Sequence, residues 1–308
     1  MTFPLQKNLL GLPLAPAQCV VDPALQIETN KIINDCARYI NDDLIVPNFL
    51  KDYTEWIKHS QLNNIDGIDS FIQADFCHGT SEAFDHFYMR HSKKRFRCFR
   101  GEYLYHQLVW NHSCPEWKYL DDEPLVTNDV VVCSLPFADT GNIHLNFNKN
   151  FLDLCQSLDI PVLVDMAFFG ICGQVNFDLS HPAITDVCFS LSKTFPVSLS
   201  RIGMRLCKKN LDDGLQIYNR TQYVNRMSAG LGSRLLRIIS ADDTFLRYRN
   251  KQLSWCKLHD LEPSDTVIFG LDTNHRHNQY NRGSAHTNRI CFSTCYQFEA
   301  WPESIKID

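Results

Sequence analysis

At 308 residues the chain is long enough for a sizeable core and for division into a larger and a smaller domain. Hydrophobic residues at 44% and charged residues at 21% exclude a disordered or collagen-like chain, and a formal net charge of -5 gives the molecule no electrostatic reason to bind nucleic acid or an anionic membrane. No apolar run approaches the roughly 18 residues that span a bilayer. Thirteen cysteines without a C-x-x-C pair read as free thiols of a cytosolic protein, not as a disulfide or zinc framework.

In chain order, the stretch from Lys7 to Ala17 has the outline of a signal peptide but is interrupted by Pro13 and Pro16, and it is expected to remain on the protein. Residues 1–45 lack a place in a central sheet and read as an arm packed on a later unit or on another subunit. Short apolar runs at Phe71–Phe76, Asp129–Ser134, Ile160–Asp165 and Asp186–Ser190 read as buried strands. Helical patterns at Ser81–His91 and Phe151–Leu158 lie between them, the first with Ser81 and Glu82 as N-terminal capping residues. Strands alternating with helices predict an α/β domain with a mostly parallel sheet over residues 46–214.

From about Leu215 the pattern changes to helices at Leu231–Ile239 and Asp243–Leu258, followed by short strands at Thr266–Leu271 and Asn288–Ser293. Residues 215–308 therefore read as a smaller α+β domain. Arg90, Lys93, Lys94, Arg95, Arg97 and Arg100 form a basic stretch with two readings: a contact for an acidic partner, or a solvated helix end running into an edge strand. His275, His277 and His286 lack companion cysteines or carboxylates at ligand spacing, so they read as a solvent loop and no metal is expected.

In an open parallel sheet the ligand site lies beyond the carboxyl ends of the strands. The strand ending at Ser190 runs into Ser190-Leu-Ser-Lys-Thr-Phe-Pro-Val-Ser-Leu-Ser-Arg201-Ile-Gly203, a lysine among hydroxyls with an arginine eight residues on. Such a lysine suits imine formation, and an arginine with serines suits a phosphate. Taken alone, the same residues also fit a surface lysine after a buried strand.

The pattern resembles the fold type I pyridoxal-phosphate-dependent aminotransferases, the aspartate aminotransferase superfamily of classes I and II, with a shortened C-terminal domain. Val164-Asp-Met-Ala-Phe168 is similar to that family's V-D-x-A-Y, and Ser190 to Gly203 to its S-x-S-K followed by R-x-G. Cys77-His-Gly-Thr-Ser-Glu-Ala83 is similar to its phosphate turn, Ser134 to Gly141 stands in place of its N-P-T-G loop, and Asn288-Arg-Ile-Cys-Phe-Ser293 resembles its R-x-x-F-S strand. The motifs run collinearly from about Phe71 to Ser293.

The resemblance implies pyridoxal 5'-phosphate bound as a Schiff base on Lys193, which would also move the substrate's Cα proton. It implies that Asp165 pairs with the pyridine nitrogen. Gly79, Thr80, Ser190, Ser192 and Arg201 would hold the phosphate. Tyr103 would stack on the ring, unless it is an ordinary strand aromatic, and Arg289 would grip the substrate α-carboxylate, unless it forms a structural salt bridge. Phe168 would lie against the cofactor where the family has a tyrosine, and Ala138 stands where it has an asparagine. Both usual partners of the phenolic oxygen are therefore missing, with Ser134, Asp139 or Asn142 as substitutes.

The leading expectation is a cytosolic, homodimeric transaminase acting on an α-amino acid and a 2-oxo acid. A pyridoxal-phosphate lyase, cyclase or decarboxylase is the second reading. A degenerate, non-catalytic binding protein of the same fold is the third.

Overall fold

The computed structural model describes residues 12, 14–106, 117–282, 287–302, 305 and 307. His286 and most of the apolar N-terminal stretch therefore lie outside the described residues. In chain order the elements are α1 Pro23–Asn34, α2 Ile45–Lys58, β1 Asn64–Asp66, β2 Gln73–Cys77, α3 Thr80–Arg90, β3 Arg95–Cys98, β4 Trp117–Tyr119, β5 Asp129–Ser134, α4 Lys149–Ser157, β6 Val162–Met166, β7 Asn176–Asp178, β8 Ile184–Ser190, β9 Gly203–Cys207, α5 Gly214–Arg220, α6 Arg226–Ile238, α7 Asp243–His259, β10 Glu262–Pro263, β11 Phe269–Asp272 and β12 Asn288–Cys291.

The main sheet has seven strands in the order β2-β9-β8-β6-β5-β3-β4. Strands β8, β6, β5, β3 and β4 pair parallel, while β9 runs antiparallel between β8 and β2. Side chains alternate across each strand, and here both faces are apolar. Val131, Cys133, Val162, Val164, Val187 and Phe189 face one core, whereas Val130, Val132, Leu163 and Cys188 face the other. That is why the sequence shows unbroken apolar runs instead of alternation. Helix α3 covers one face with Phe84, Phe87 and Tyr88. Helices α2, α4 and α6 cover the other, with Phe49, Tyr53, Leu152, Ala229 and Leu235 buried there. The larger of these apolar side chains each contribute about 1.5–3 kcal/mol by leaving water.

A second core gathers Phe245, Tyr248 and Trp255 of α7, the antiparallel strands β10-β11-β12, and Leu14, Ala15 and Val20 of the N-terminal arm. The arm runs beside β12: Cys291 N donates to Leu14 O at 2.7 Å and Val21 N to Ser293 O at 2.9 Å. It then enters α1 through Asp22, whose carboxylate caps Ala24 N and Leu25 N.

Two local expectations change. The basic stretch neither ends in an edge strand nor faces a partner through all its charges, because β4 lies outside β3. Arg97 is fully buried, with Nη1 2.6 Å from Asp129 and further bonds to the carbonyls of Tyr119, Glu123 and Pro124, while Arg95 reaches Asp129 and Glu123. Tyr103 lies not in a strand but just before a helical segment that begins at Leu104, because Gly101 adopts φ +88° and turns the chain.

Candidate active site

The carboxyl ends of β2, β3, β5, β6 and β8 share one edge of the sheet, and β9, being antiparallel, begins there. Register places Ser134 opposite Asp165, Asp165 opposite Cys188, and Gly203 opposite both Ser190 and Cys77. A cavity of about 370 Å³ opens over these ends. Its walls include Thr80, Tyr103, Ala138, Asp165, Phe168, Ser190, Ser192, Lys193, Arg201 and Arg289, so nearly every residue singled out from the sequence meets there.

One end of the cavity is built around Gly79. This residue precedes α3 with φ +74° and ψ 173°, a conformation that disfavours L side chains, and no side chain caps the helix. The first N–H groups of α3 therefore remain available to an anion. Arg201 approaches from the start of β9, donating from Nη2 to Ser81 Oγ at 2.9 Å and to His78 O at 3.1 Å. Ser190 and Ser192 stand beside it, their hydroxyls 3.0 Å apart. Glu82 ties the turn back, accepting from His78 N at 2.6 Å, whereas Ser81 binds Arg201 instead of capping the helix.

Lys193 follows β8. Its Nζ donates to the carbonyl of Ala17 in the N-terminal arm. Burial lowers its pKa from the ordinary lysine value, an effect opposed by the nearby Cys291 thiol and reinforced by Arg289. Asp165 lies one residue before the end of β6 and is only 4% exposed. Its carboxylate accepts from Ala167 N at 3.0 Å and forms no salt bridge among the described residues. Burial, with the charge of Glu102 adding to it, pushes its pKa up to about 8.

The opposite end carries Arg289 together with residues that the sequence reading did not single out. Glu102 is fully buried and accepts from Ser134 N and Tyr103 N at 2.8 Å each and from the Ser134 hydroxyl. Arg282 lines the cavity and meets Asp139 at 3.5 Å through Nε. Arg289 sits over the Phe269 ring at 4.4 Å and donates from Nη1 to Ala138 O at 2.5 Å and from Nη2 to Ala15 O at 2.7 Å. Burial first, and then the nearby Arg282, lowers its pKa below the ordinary arginine value. Ala15, Pro16 and Ala17 form part of the cavity wall. Neither Arg282 nor the arm belongs to a recognisable motif, and only the fold brings them here.

Of the proposed substitutes for the missing phenolic-oxygen partners, Ser134 lines the cavity, but its hydroxyl proton goes to Glu102. Asn142 accepts from Asp265 N at 2.7 Å through its side-chain oxygen. Asp139 is fully buried and faces Arg282.

No protein-family model matches the sequence, and neither does any curated protein. Solved structures do match. The tyrosine aminotransferase from Leishmania infantum aligns with a TM-score of 0.66 at 13% identity, over 95% of this chain and 93% of that one. The aromatic aminotransferase from Pyrococcus horikoshii aligns with a TM-score of 0.66 at 12% identity, over 95% of each chain. A pyridoxal-phosphate-bound C–S lyase from Staphylococcus hominis aligns with a TM-score of 0.66 at 10% identity, over 96% of this chain and 90% of that one. The chain thus has the fold of the pyridoxal-phosphate-dependent aminotransferases of fold type I.

Proposed function

We propose that this protein is a pyridoxal-phosphate-dependent transaminase that moves an amino group between an α-amino acid and a 2-oxo acid. The observation that carries this reading is Asp165, a buried carboxyl that forms no salt bridge among the described residues, sharing one cavity with the buried amine of Lys193 and with Thr80, Ser190, Ser192 and Arg201. These groups fit the cofactor. Asp165 would pair with the protonated pyridine nitrogen. The phosphate matches the bare N-terminus of α3, the Ser190 and Ser192 hydroxyls and the Arg201 guanidinium.

When bound, the ring supplies an electron sink for the carbanion left at Cα. Asp165 would hold the ring nitrogen in its protonated form. Lys193, held toward its neutral form by burial, would hold the aldehyde and would be the base that carries the Cα proton. Tyr103 supplies a flat wall at the cavity, and Arg289 lies on the side from which a substrate carboxylate would enter.

A homodimer is part of this proposal, because the shortened C-terminal unit leaves the substrate side to be closed by a second copy. A second reading keeps Lys193 and Asp165 but ends in elimination. It is favoured by the absence of hydroxyl and amide donors at Phe168 and Ala138 and by the C–S lyase among the similar structures.

The test is an absorbance spectrum after adding pyridoxal phosphate. The wild type is expected to gain a visible band that Lys193→Ala lacks, and an amino donor should convert the band to that of the amine form. A band that returns unchanged while an oxo acid accumulates would favour the lyase. A wild type that gains no band overturns both readings.

A further inference from the structure

We infer that Arg282, backed by Arg289, is the cationic partner of the cofactor's phenolic oxygen, in place of the uncharged donors that Phe168 and Ala138 do not provide. This rests on the cofactor assignment above and adds a residue that no motif contains.

The orientation follows from strand order. The phosphate cradle lies at β2, β9 and β8, Asp165 lies near the end of β6, and the Ser134–Ala138 loop follows β5. On the pyridine ring the hydroxyl and the phosphate arm flank the aldehyde carbon on opposite sides. With the phosphate toward β2 and β9 and the nitrogen at Asp165, the hydroxyl edge faces the β5 loop.

The donors at that wall can be taken one at a time. Ala138 and Phe168 have none. The Ser134 hydroxyl donates to Glu102. Tyr103, in the stacked arrangement proposed above, presents its ring face. Arg289 has both terminal nitrogens bonded to the carbonyls of Ala138 and Ala15 and is thereby pinned to the residue that replaces the family's asparagine. Arg282 remains. It lines the same cavity, its one ion pair is a 3.5 Å approach to Asp139, and its Nε is buried without a hydrogen bond among the described residues.

A guanidinium stabilises a phenolate more strongly than a hydroxyl or amide does, because the bond is charge-assisted. The other charges around this wall are Lys193 after β8, Asp165 of β6, Glu102 after β3, Asp139 after β5 and Arg289 of β12. A cation at the oxygen favours loss of the neighbouring imine proton. Arg282 is thus a positioning and charge-setting residue for the cofactor.

The experiment compares wild type and Arg282→Met, with Arg282→Met/Asp139→Asn included so that the Asp139 charge is removed along with the guanidinium it faces. The readouts are dissociation constants for pyridoxal phosphate and for its analogue bearing hydrogen instead of the 3-hydroxyl, and a pH titration of the visible band without substrate. The preference for the hydroxyl-bearing cofactor is expected to fall about tenfold or more in both Arg282 variants. The band's pKa should rise by about one unit in them.

An unchanged preference together with an unmoved titration in folded Arg282 variants overturns the inference, as would happen if Arg282 served only a substrate carboxylate. Absence of any band in wild type would instead remove the cofactor assignment itself, so the two failures are distinguishable.

Discussion

The Nη2 atom of Arg201 lies 2.4 Å from where a Cβ on Gly79 would stand. Arg201 itself adopts φ +51°, so two unusual backbone conformations meet at this one contact. A methyl group on residue 79 would strain a φ of +74° and push the guanidinium out of the cradle. Gly79→Ala is expected to lower stability by about 2 kcal/mol and to weaken binding of pyridoxal phosphate about tenfold. Denaturant titration and calorimetry measure the two effects separately. Unchanged cofactor affinity in a folded variant would mean that the cradle holds no phosphate.

Asp165 makes the cofactor-free protein sensitive to pH in a defined direction. Its folded pKa, raised to about 8 by burial and then by the Glu102 charge, lies above the unfolded carboxylate value. The native state therefore holds a proton that the unfolded state has released, so this contribution to stability is complete below about pH 4 and is lost as pH rises toward about 8. Asp165→Asn should leave stability at pH 4 nearly unchanged and raise it at pH 8 by roughly 2 kcal/mol or more in the cofactor-free protein. Urea unfolding at both pH values checks this. Equal effects at both would show that the carboxyl ionises normally.

The parts of this molecule legible in the sequence are those whose physics is local. Strand β5 coincides with its apolar run, and β6 and β8 fall within a few residues of theirs, because strands buried on both faces must be continuously apolar. Lys193, Asp165 and Arg201 were legible because each lies at or beside a strand end on one edge of the sheet, within short motifs that resemble the family's. Arg282 was not, since nothing about an arginine in a polar loop announces that a buried Asp139 will draw it into a cavity. Glu102 was equally silent, its role set by the Ser134 N–H of a strand 27 residues later at Asp129–Ser134. The contacts of Ala15 and Ala17 were hidden for another reason: they involve backbone carbonyls, which carry no sequence signal at all.

Arg97 and Asp129 form a buried pair within the sheet, 2.6 Å apart and both fully inaccessible. Burial alone would raise the Asp129 pKa, but hydrogen bonds from Arg95, from Val126 N and from Arg97 bring it below the ordinary value. Removing Asp129 leaves the buried Arg97 without a carboxylate, whereas removing Arg97 leaves Asp129 its two bonds to Arg95. Asp129→Asn should cost about 3–5 kcal/mol and Arg97→Met less, whereas breaking the exposed pair of Lys149 and Asp153 should change stability very little. Chemical denaturation of the two sets provides the comparison. Similar losses from both would mean that the sheet is not braced by this pair.

The N-terminal arm places backbone acceptors on both cationic groups that a substrate complex would use: Ala17 O on Lys193 and Ala15 O on Arg289. For Lys193 to attach an aldehyde, its bond to Ala17 must break, and that cost enters the rate of cofactor attachment. Leu14 is fully buried and Ala15 nearly so, so the arm is also held by apolar contact with the second core. A variant beginning at residue 18 is thus expected to lose about 2–4 kcal/mol of stability. In return, the visible band should form several-fold faster when pyridoxal phosphate is mixed with it in a stopped-flow spectrometer. The two changes are separable, because loss of packing alone lowers the unfolding midpoint without accelerating a reaction at Lys193. An attachment rate equal to that of wild type would show that the Ala17 carbonyl exchanges too readily to hinder the amine.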